Sequence, residues 1–316
     1  MYKKQVFCKR GAFLPGKKLL TVLKTTRLPF LILTPVCIGL AATMVYWQEG
    51  SINLRDFILI LIAGLFAHIS VNMLNEYFDF KSGLDIDLAD KRTPFSGGSG
   101  VLPQNPSSHF MVLCCGAAAL AITGIIGIYL TLLKSYLLLI PGLIGVVLIL
   151  SYTPFITRNP VVGLFSAGLG FGPVMMIGTE LALTKSYSGG IMTAALIPFF
   201  LVNNLLLLNQ LPDMESDKKF ARKTFPIAFG VHAALKVYAI FAAGAYLTLT
   251  LGVFWGIFPK LTLIGLGTIP IFLYIFNFLK KETVTEKIMA LNVIITLLTP
   301  ALVGLAVVVS TFMQAR

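Results

Sequence analysis

The chain has 316 residues, of which 57% are hydrophobic and only 12% charged, with a mean hydropathy of +0.87. A water-soluble domain of this size cannot hide that much apolar surface, so the composition points instead to helices crossing a hydrocarbon core of ~30 Å. The formal net charge of +12 suggests nucleic acid in a soluble protein, but in a membrane protein it reflects Lys and Arg gathered on one side of the bilayer, and no nucleic-acid partner is expected.

In chain order, residues 1–25 read as a basic, cytoplasmic N-terminal segment, and 26–316 as a single transmembrane domain. Apolar runs predict nine spans, at 26–48, 54–79, 109–131, 135–153, 160–183, 189–211, 231–257, 260–279 and 287–312. The predicted fold class is therefore all-α, a polytopic membrane bundle of about nine transmembrane helices. An even number remains open if one span is re-entrant. Cys8, Cys37, Cys114 and Cys115 form no metal-binding pattern and read as small packing residues. His68, inside the second span, reads as a polar packing residue. The run GLGFGP at 168–173 follows no strand, so close helix packing is expected there rather than nucleotide binding.

With the N-terminus inside, only Arg55, Lys134, Lys185, Lys260 and Arg316 of the 25 basic residues fall on the outer side. That asymmetry places the N-terminus in the cytoplasm and supports nine spans, because a wrong count scrambles the split. Two loops are long, about 80–108 and 212–230, and both face the cytoplasm in this arrangement. Long loops in a compact fold are more often functional than not.

These two loops carry the chemistry. Asn75, Asp79 and Asp85 begin the first, and Asn209, Asp213 and Asp217 begin the second. Spacing of four puts each Asn and its following Asp on one helix face. Glu76, Asp79, Asp85, Asp87, Asp90, Asp213, Glu215 and Asp217 make up eight of the chain's thirteen acids. Carboxylates at the end of an apolar helix are costly unless paired or bound to a cation. Two opposed sets of hard oxygen donors suit Mg²⁺, which binds through a few carboxylates plus substrate phosphates. Lys91 and Arg92 follow the first set, and Lys218, Lys219, Arg222 and Lys223 the second. Together these describe a site for a Mg²⁺-bridged diphosphate. The glycine-rich run SGGSGVLPQNP after the first set is either a phosphate cradle or a lid. A cation-coupled transporter is a different reading of the same acids, but it calls for acids near mid-membrane rather than at one face.

At these residues the sequence resembles the UbiA superfamily of intramembrane prenyltransferases, whose pattern is Asn-x-x-x-Asp with a further Asp in each of the two loops. The stretch NEYFDFKSGLD, with Gly83 two residues before Asp85, is most similar to the branch that prenylates 1,4-dihydroxy-2-naphthoate in menaquinone biosynthesis. The resemblance runs from Arg27–Pro29 to the last span and includes SYTPFITRNPVVG, where Arg158 matches a basic position. Leu164 and Glu76 depart from the pattern, at positions where relatives usually carry an acidic residue and Asp respectively.

The resemblance implies a cytoplasm-facing active site. Mg²⁺ would be ligated by Asp79, Asp85, Asp213 and Asp217, with Asn75 and Asn209 as ligands or positioning groups. Lys91, Arg92, Arg158, Arg222 and Lys223 would neutralise the donor's phosphates, and the Tyr77 and Tyr152 faces would screen an allylic cation. The partners implied are a polyprenyl diphosphate, an aromatic acceptor and the lipid bilayer. Within the superfamily 4-hydroxybenzoate, homogentisate or a lipid are alternative acceptors.

Overall fold

The computed structural model describes residues 15–87 and 92–314. Cys8, Asp90, Lys91, Arg316 and the basic residues before Pro15 lie outside the described residues. The helices, in chain order, are α1 (Pro15–Thr25), α2 (Leu33–Glu49), α3 (Leu54–Ser82), α4 (Leu84–Asp87), α5 (Val101–Gln104), α6 (His109–Leu133), α7 (Leu139–Ser151), α8 (Pro160–Leu169), α9 (Met175–Thr184), α10 (Gly189–Lys219), α11 (Phe225–Phe229), α12 (Val231–Phe254), α13 (Ile269–Leu279) and α14 (Glu286–Gln314). No strand occurs among the described residues. The chain is an all-helical, multi-pass membrane protein.

Among the described residues eight helical segments of 20 residues or more are long and apolar enough to cross a membrane, and the ninth expected span, 135–153, is the shorter apolar helical stretch Tyr136–Ser151. It rises about 24 Å at 1.5 Å per residue and returns the chain from the end of α6, where Lys134 pairs with Asp56, to the end where Thr153 meets Asn75. It stops at Ser151, and the turn through Tyr152, Thr153 and Pro154 carries the chain towards the acidic loops.

Helices α3 and α10 run longer. At 29 and 31 residues they rise about 44 and 46 Å, so their final turns, which carry the acids, extend past the apolar slab. Each starts on a side-chain cap, Asn53 accepting from the Asp56 N–H at 3.1 Å and Ser188 accepting from the Ile191 N–H at 3.1 Å. Helix α3 ends at Gly83 in the left-handed conformation, φ 89°.

Helix α10 is central, packed against α2, α8, α9, α11, α12 and α14. Leu201, Leu207 and Leu208 on it meet Tyr238 and Phe241 of α12, Ile295 and Val303 of α14, and Leu40 and Met44 of α2 in the main core. On its other side, a Cβ at Gly168 would stand 2.1 Å from the Phe199 carbonyl oxygen, so GLGFGP does serve close helix packing. A π-helical turn over Gly170–Val174 accommodates Pro173 between α8 and α9. Helix α3 packs along α6, and α14 along α2. This arrangement brings the loop after α3 and the loop after α10 to the same end of the bundle.

Candidate active site

The last two turns of α3 divide their polar side chains between two directions. Asn75 Nδ2 donates to Asp79 Oδ2 at 3.0 Å, one turn on, and to Thr153 Oγ1 at 3.0 Å. Glu76, rotated away from that pair, is buried. It accepts from the Ser99 N–H at 2.7 Å and the Ser99 hydroxyl at 2.6 Å, and it pairs with Arg27 at 2.8 Å. Arg27 occupies the left-handed region, φ 54°, an uncommon conformation for a side chain other than glycine. It lies in the turn between α1 and the 3₁₀ segment Leu28–Ile32 that leads into α2.

Helix α10 supplies the opposing set. Asp213 Oδ2 accepts from the Gly97 N–H at 3.0 Å, and Asp217 Oδ1 lies 3.2 Å from Arg222 Nη1. The other terminal nitrogen of Arg222 donates to Asp79. One guanidinium therefore joins the two Asn/Asp motifs. Burial alone would lower its proton affinity, but Asp79 and Asp217 reverse that and hold it above the ordinary arginine value. At the rim, Lys219 pairs with Asp87 at 3.0 Å.

Asp85 sits under the glycine-rich loop. Arg92 donates to the Asp85 carbonyl and, at 2.8 Å, to that of Gly97, and its guanidinium lies 3.8 Å from the Asp85 carboxylate. Gly98, at φ +73°, brings backbone so near that a Cβ there would stand 2.9 Å from Asp85 Oδ1. Burial, then the neighbouring Glu76 and Asp79 carboxylates, push the Asp85 carboxyl up to about 7.

Three oxygens of the predicted metal set are buried with no hydrogen-bond partner: Asp85 Oδ2, Asp213 Oδ1 and Asn209 Oδ1. Buried polar atoms are almost always partnered, and an ion is one reason for an exception. Among the described residues no group of three His, Cys, Asp or Glu side chains converges into a ready-made metal cluster. Arg222 already holds Asp79 and Asp217. These donors fit Mg²⁺, which takes oxygen ligands, keeps several waters and completes its shell with substrate phosphate. They do not fit a metal that needs a closed protein cage.

A cavity of about 570 Å³ opens beside this polar cluster. Arg27, Asn72, Asn75 and Tyr152 line its polar end. From there it runs between α2, α3, α6, α7, α8 and α9 along a mainly apolar wall that includes Gly124, Gly145 and Phe171. His68 lines it too, with Nδ1 3.0 Å from the Thr34 hydroxyl and its ring edge-on to Phe171 at 4.8 Å.

Asn75, Asp79, Asp85, Arg92, Asp213, Asp217 and Arg222 thus share one cluster, with Asn209 one turn before Asp213 and Tyr152 at the cavity mouth. Tyr77 faces elsewhere, stacked on His109 at 6.2 Å with the Lys81 ammonium 6.0 Å from its ring. Arg158 and Lys223 are exposed, Lys223 using its backbone N–H to reach the Thr157 carbonyl at 3.0 Å. Sequence reasoning did not assign Arg27, Glu76, Ser99 or Thr153 to the site. A signal existed for the first two: a lone cation at the head of an apolar span and a lone acid inside one are each costly unless they meet.

Residues 32–298 match the UbiA prenyltransferase family. Over 216 residues the chain is 29% identical to the 1,4-dihydroxy-2-naphthoate octaprenyltransferase of Bacillus subtilis, covering 67% of this chain and 66% of the relative, just under two thirds of its length. It is 21% identical to the 2-carboxy-1,4-naphthoquinone phytyltransferase of Synechocystis, over 75% of this chain and 74% of the relative. Among solved structures, a UbiA homologue from Archaeoglobus fulgidus bound to DMAPP and Mg²⁺ superposes with a TM-score of 0.63 at 21% identity. That match covers 93% of this chain and 99% of the homologue, and it shows a shared fold.

Proposed function

The chain belongs to the UbiA prenyltransferase family, and from that premise we propose that it transfers a polyprenyl group from a prenyl diphosphate to an aromatic acceptor of the 1,4-dihydroxy-2-naphthoate type. The observation that carries this reading is the Arg222 cross-link. It ties Asp79 of one motif to Asp217 of the other beside an elongated apolar cavity of about 570 Å³. A charged head beside an apolar channel matches an amphiphile with a diphosphate at one end and an isoprenoid tail at the other. The Bacillus subtilis relative's name supports the acceptor class, and the DMAPP and Mg²⁺ of the Archaeoglobus structure support the donor.

In this reading Asp79, Asp85, Asp213 and Asp217 would hold Mg²⁺, with Asn75 and Asn209 as ligands or positioning groups. Mg²⁺ bound there supplies positive charge to the departing diphosphate. Arg92 and Arg222 neutralise phosphate oxygens, with Lys91, Arg158 and Lys223 as further candidate cations. The donor C–O bond breaks with its electron pair leaving on the diphosphate, a ring carbon of the acceptor supplies the electron pair for the new C–C bond, and that carbon then loses its proton to the released diphosphate or to water, which restores the aromatic ring. Tyr152, at the cavity mouth, offers its ring face to the allylic cation. The dry apolar wall keeps water from capturing that cation. The protein sits in the cytoplasmic membrane with its N-terminus and active site on the cytoplasmic side, and the prenylated product departs through the bilayer.

The test is to supply purified membranes with one labelled prenyl diphosphate and a panel of aromatic acceptors, then identify the product. Labelled prenylated naphthoquinol precursor is expected. Mg²⁺-dependent labelling of 4-hydroxybenzoate alone would move the acceptor to another branch, and no labelled product with any acceptor would reject the transferase reading.

A further inference from the structure

Helix α1 carries its polarity the reverse way round for a helix in water. Thr21 and Thr25 are buried against the protein, while Leu19, Leu20 and Leu23 point away from it, 61%, 54% and 46% exposed. Positions 19, 20 and 23 share one helical face, and 21 and 25 lie on the opposite one. Val22 fixes the depth of the helix. It packs against the cluster of Met73, Leu102 and Val112, and Val112 is one turn inside α6. Helix α1 therefore lies about 5 Å below the end of that span, the level at which an interfacial helix sinks its apolar face into the headgroup–acyl boundary. Leu28 and Ile32, which lead from α1 into the α2 span, are exposed in the same manner.

The charge around the helix selects the occupant of this face. Residues 1–27 hold eight Lys and Arg, with Lys17, Lys18 and Lys24 of α1 among them, and the first acid of the chain is Glu49. Lys24 is exposed at the edge of the leucine face. A basic amphipathic helix beside a span suits anionic headgroups. A second copy of the chain would bring the same positive charge to the contact.

Helix α1 also reaches the active-site cluster. Asn72 Nδ2 of α3 donates to the Thr26 carbonyl at 2.9 Å. One turn along α3, Glu76 holds Arg27, whose left-handed backbone turns the chain from α1 towards α2. Arg27 lines the polar end of the large cavity. A shift of α1 is thereby carried to Arg27.

We propose that α1 is an anchor for anionic lipid. Its leucines enter the acyl boundary, its lysines meet phosphate-bearing headgroups, and this seating holds Arg27 at the cavity, so that turnover depends on lipid charge. The docking stands apart from the prenyl-transfer reading above, and the effect on turnover rests on it.

The experiment uses the full-length protein in nanodiscs of phosphatidylcholine alone or mixed with phosphatidylglycerol. Leu23→Trp, in a background of Trp47→Phe and Trp255→Phe, reports on the leucine face by its fluorescence. Quenching by acyl-brominated lipid reads contact with the bilayer, and quenching by acrylamide reads contact with water. In the mixed nanodiscs the indole should be quenched by brominated lipid and shielded from acrylamide. Each Lys near an anionic surface is worth about fivefold in binding. Adding Lys17→Gln and Lys24→Gln should therefore shift the docking equilibrium towards the undocked form by about 25-fold, and phosphatidylcholine alone should shift it at least as far. Prenyl transfer by the wild type should fall in phosphatidylcholine, and Lys17→Gln/Lys24→Gln should lose the gain that phosphatidylglycerol gives.

An indole open to acrylamide in both lipids overturns the anchor. An indole shielded from both quenchers also overturns it, because residues 1–14 or a second copy would then cover the face. Bilayer contact that ignores both lipid charge and the lysine substitutions overturns the selection of anionic lipid. If Lys17→Gln/Lys24→Gln keeps the full gain in turnover, headgroups act elsewhere and the control of Arg27 falls. If docking behaves as expected but no prenyl transfer occurs in either lipid, the anchor stands and the prenyl-transfer reading falls.

Discussion

Arg222 is the residue whose removal separates the metal-free protein from the loaded one. Its side chain is 18% exposed, and those of Asp79 and Asp217 are 10% and 4% exposed, so both pairs are screened little by water. Losing one partner of a buried ion pair costs about 3–5 kcal/mol, because the remaining charge stays buried without a counterion. Arg222→Ala leaves two carboxylates in that position. Partial protonation of the carboxylates would relieve some of the cost, so about 3 kcal/mol is the expected loss in EDTA. Mg²⁺ with a non-hydrolysable prenyl diphosphate analogue gives both carboxylates a new counterion, so most of the deficit should vanish on loading. The same variant should lose about 10²- to 10³-fold in turnover, the scale found when one donor that stabilises transition-state charge is removed. The assay is thermal and denaturant unfolding of purified wild type and variant, each in EDTA and with Mg²⁺ plus analogue. An equal deficit in both conditions would refute the reasoning, since Arg222 would then be an ordinary structural tie rather than a cation holding a metal's place.

Other expectations follow from the same cluster. Asp79→Ala or Asp213→Ala should abolish Mg²⁺-dependent transfer while the protein still inserts and stays folded, which product analysis and size-exclusion profiles of the same preparation can check. The Asp85 carboxyl is raised to about 7 from an ordinary 3.8, so the folded metal-free protein holds that proton through a range where the unfolded chain has lost it. The metal-free fold should accordingly weaken as pH climbs from about 4 to about 7. Mg²⁺ needs the carboxylate, so its affinity should fall about tenfold per pH unit below 7 and level off above. Isotherms between pH 5.5 and 8 test this, and a flat profile contradicts it; Asp85→Asn should weaken Mg²⁺ binding throughout and flatten the part of the profile near neutral pH. Gly124 lines the large cavity with open space where a Cβ would stand. Gly124→Trp should therefore raise KM for long polyprenyl diphosphates while sparing dimethylallyl diphosphate, read from product chain length.

The motifs were legible in the sequence because their signal is local. Asn75 and Asp79 sit one helical turn apart, as do Asn209 and Asp213, and a helical period puts each pair on one face. The apolar runs were legible because a bilayer demands length and hydropathy, which are sums over a window. The turn that ends α7 was not legible because its purpose is tertiary: Thr153 hydrogen-bonds Asn75. The resemblance implies a site role for Tyr77, yet it follows Asn75 by two residues, a rotation of about 200° along a helix, which carries its ring to His109. Arg27 and Glu76 lie 49 positions apart, and no local pattern links them. Only the cost of burying each alone pointed to a meeting.

The chain's net charge of +12 hides a local balance of the opposite sign. Glu76, Asp79, Asp85, Asp213 and Asp217 converge on the cluster, and their cationic partners among the described residues are Arg27, Arg92 and Arg222. Five acids against three guanidiniums leave a deficit of two positive charges when every group is ionised. Two features ease this: burial and the neighbouring carboxylates push the Asp85 carboxyl up to about 7, and Asp213 accepts from the Gly97 N–H. A divalent cation would supply the missing charge, and the buried oxygens without partners, on Asp85, Asp213 and Asn209, are the donors open to it. A diphosphate would then bring its own negative charge, which Arg222, once released from Asp79 and Asp217, would be free to meet. The Arg222→Ala experiment reads that exchange directly, because the variant removes the cation that has to move and keeps every carboxylate that stays.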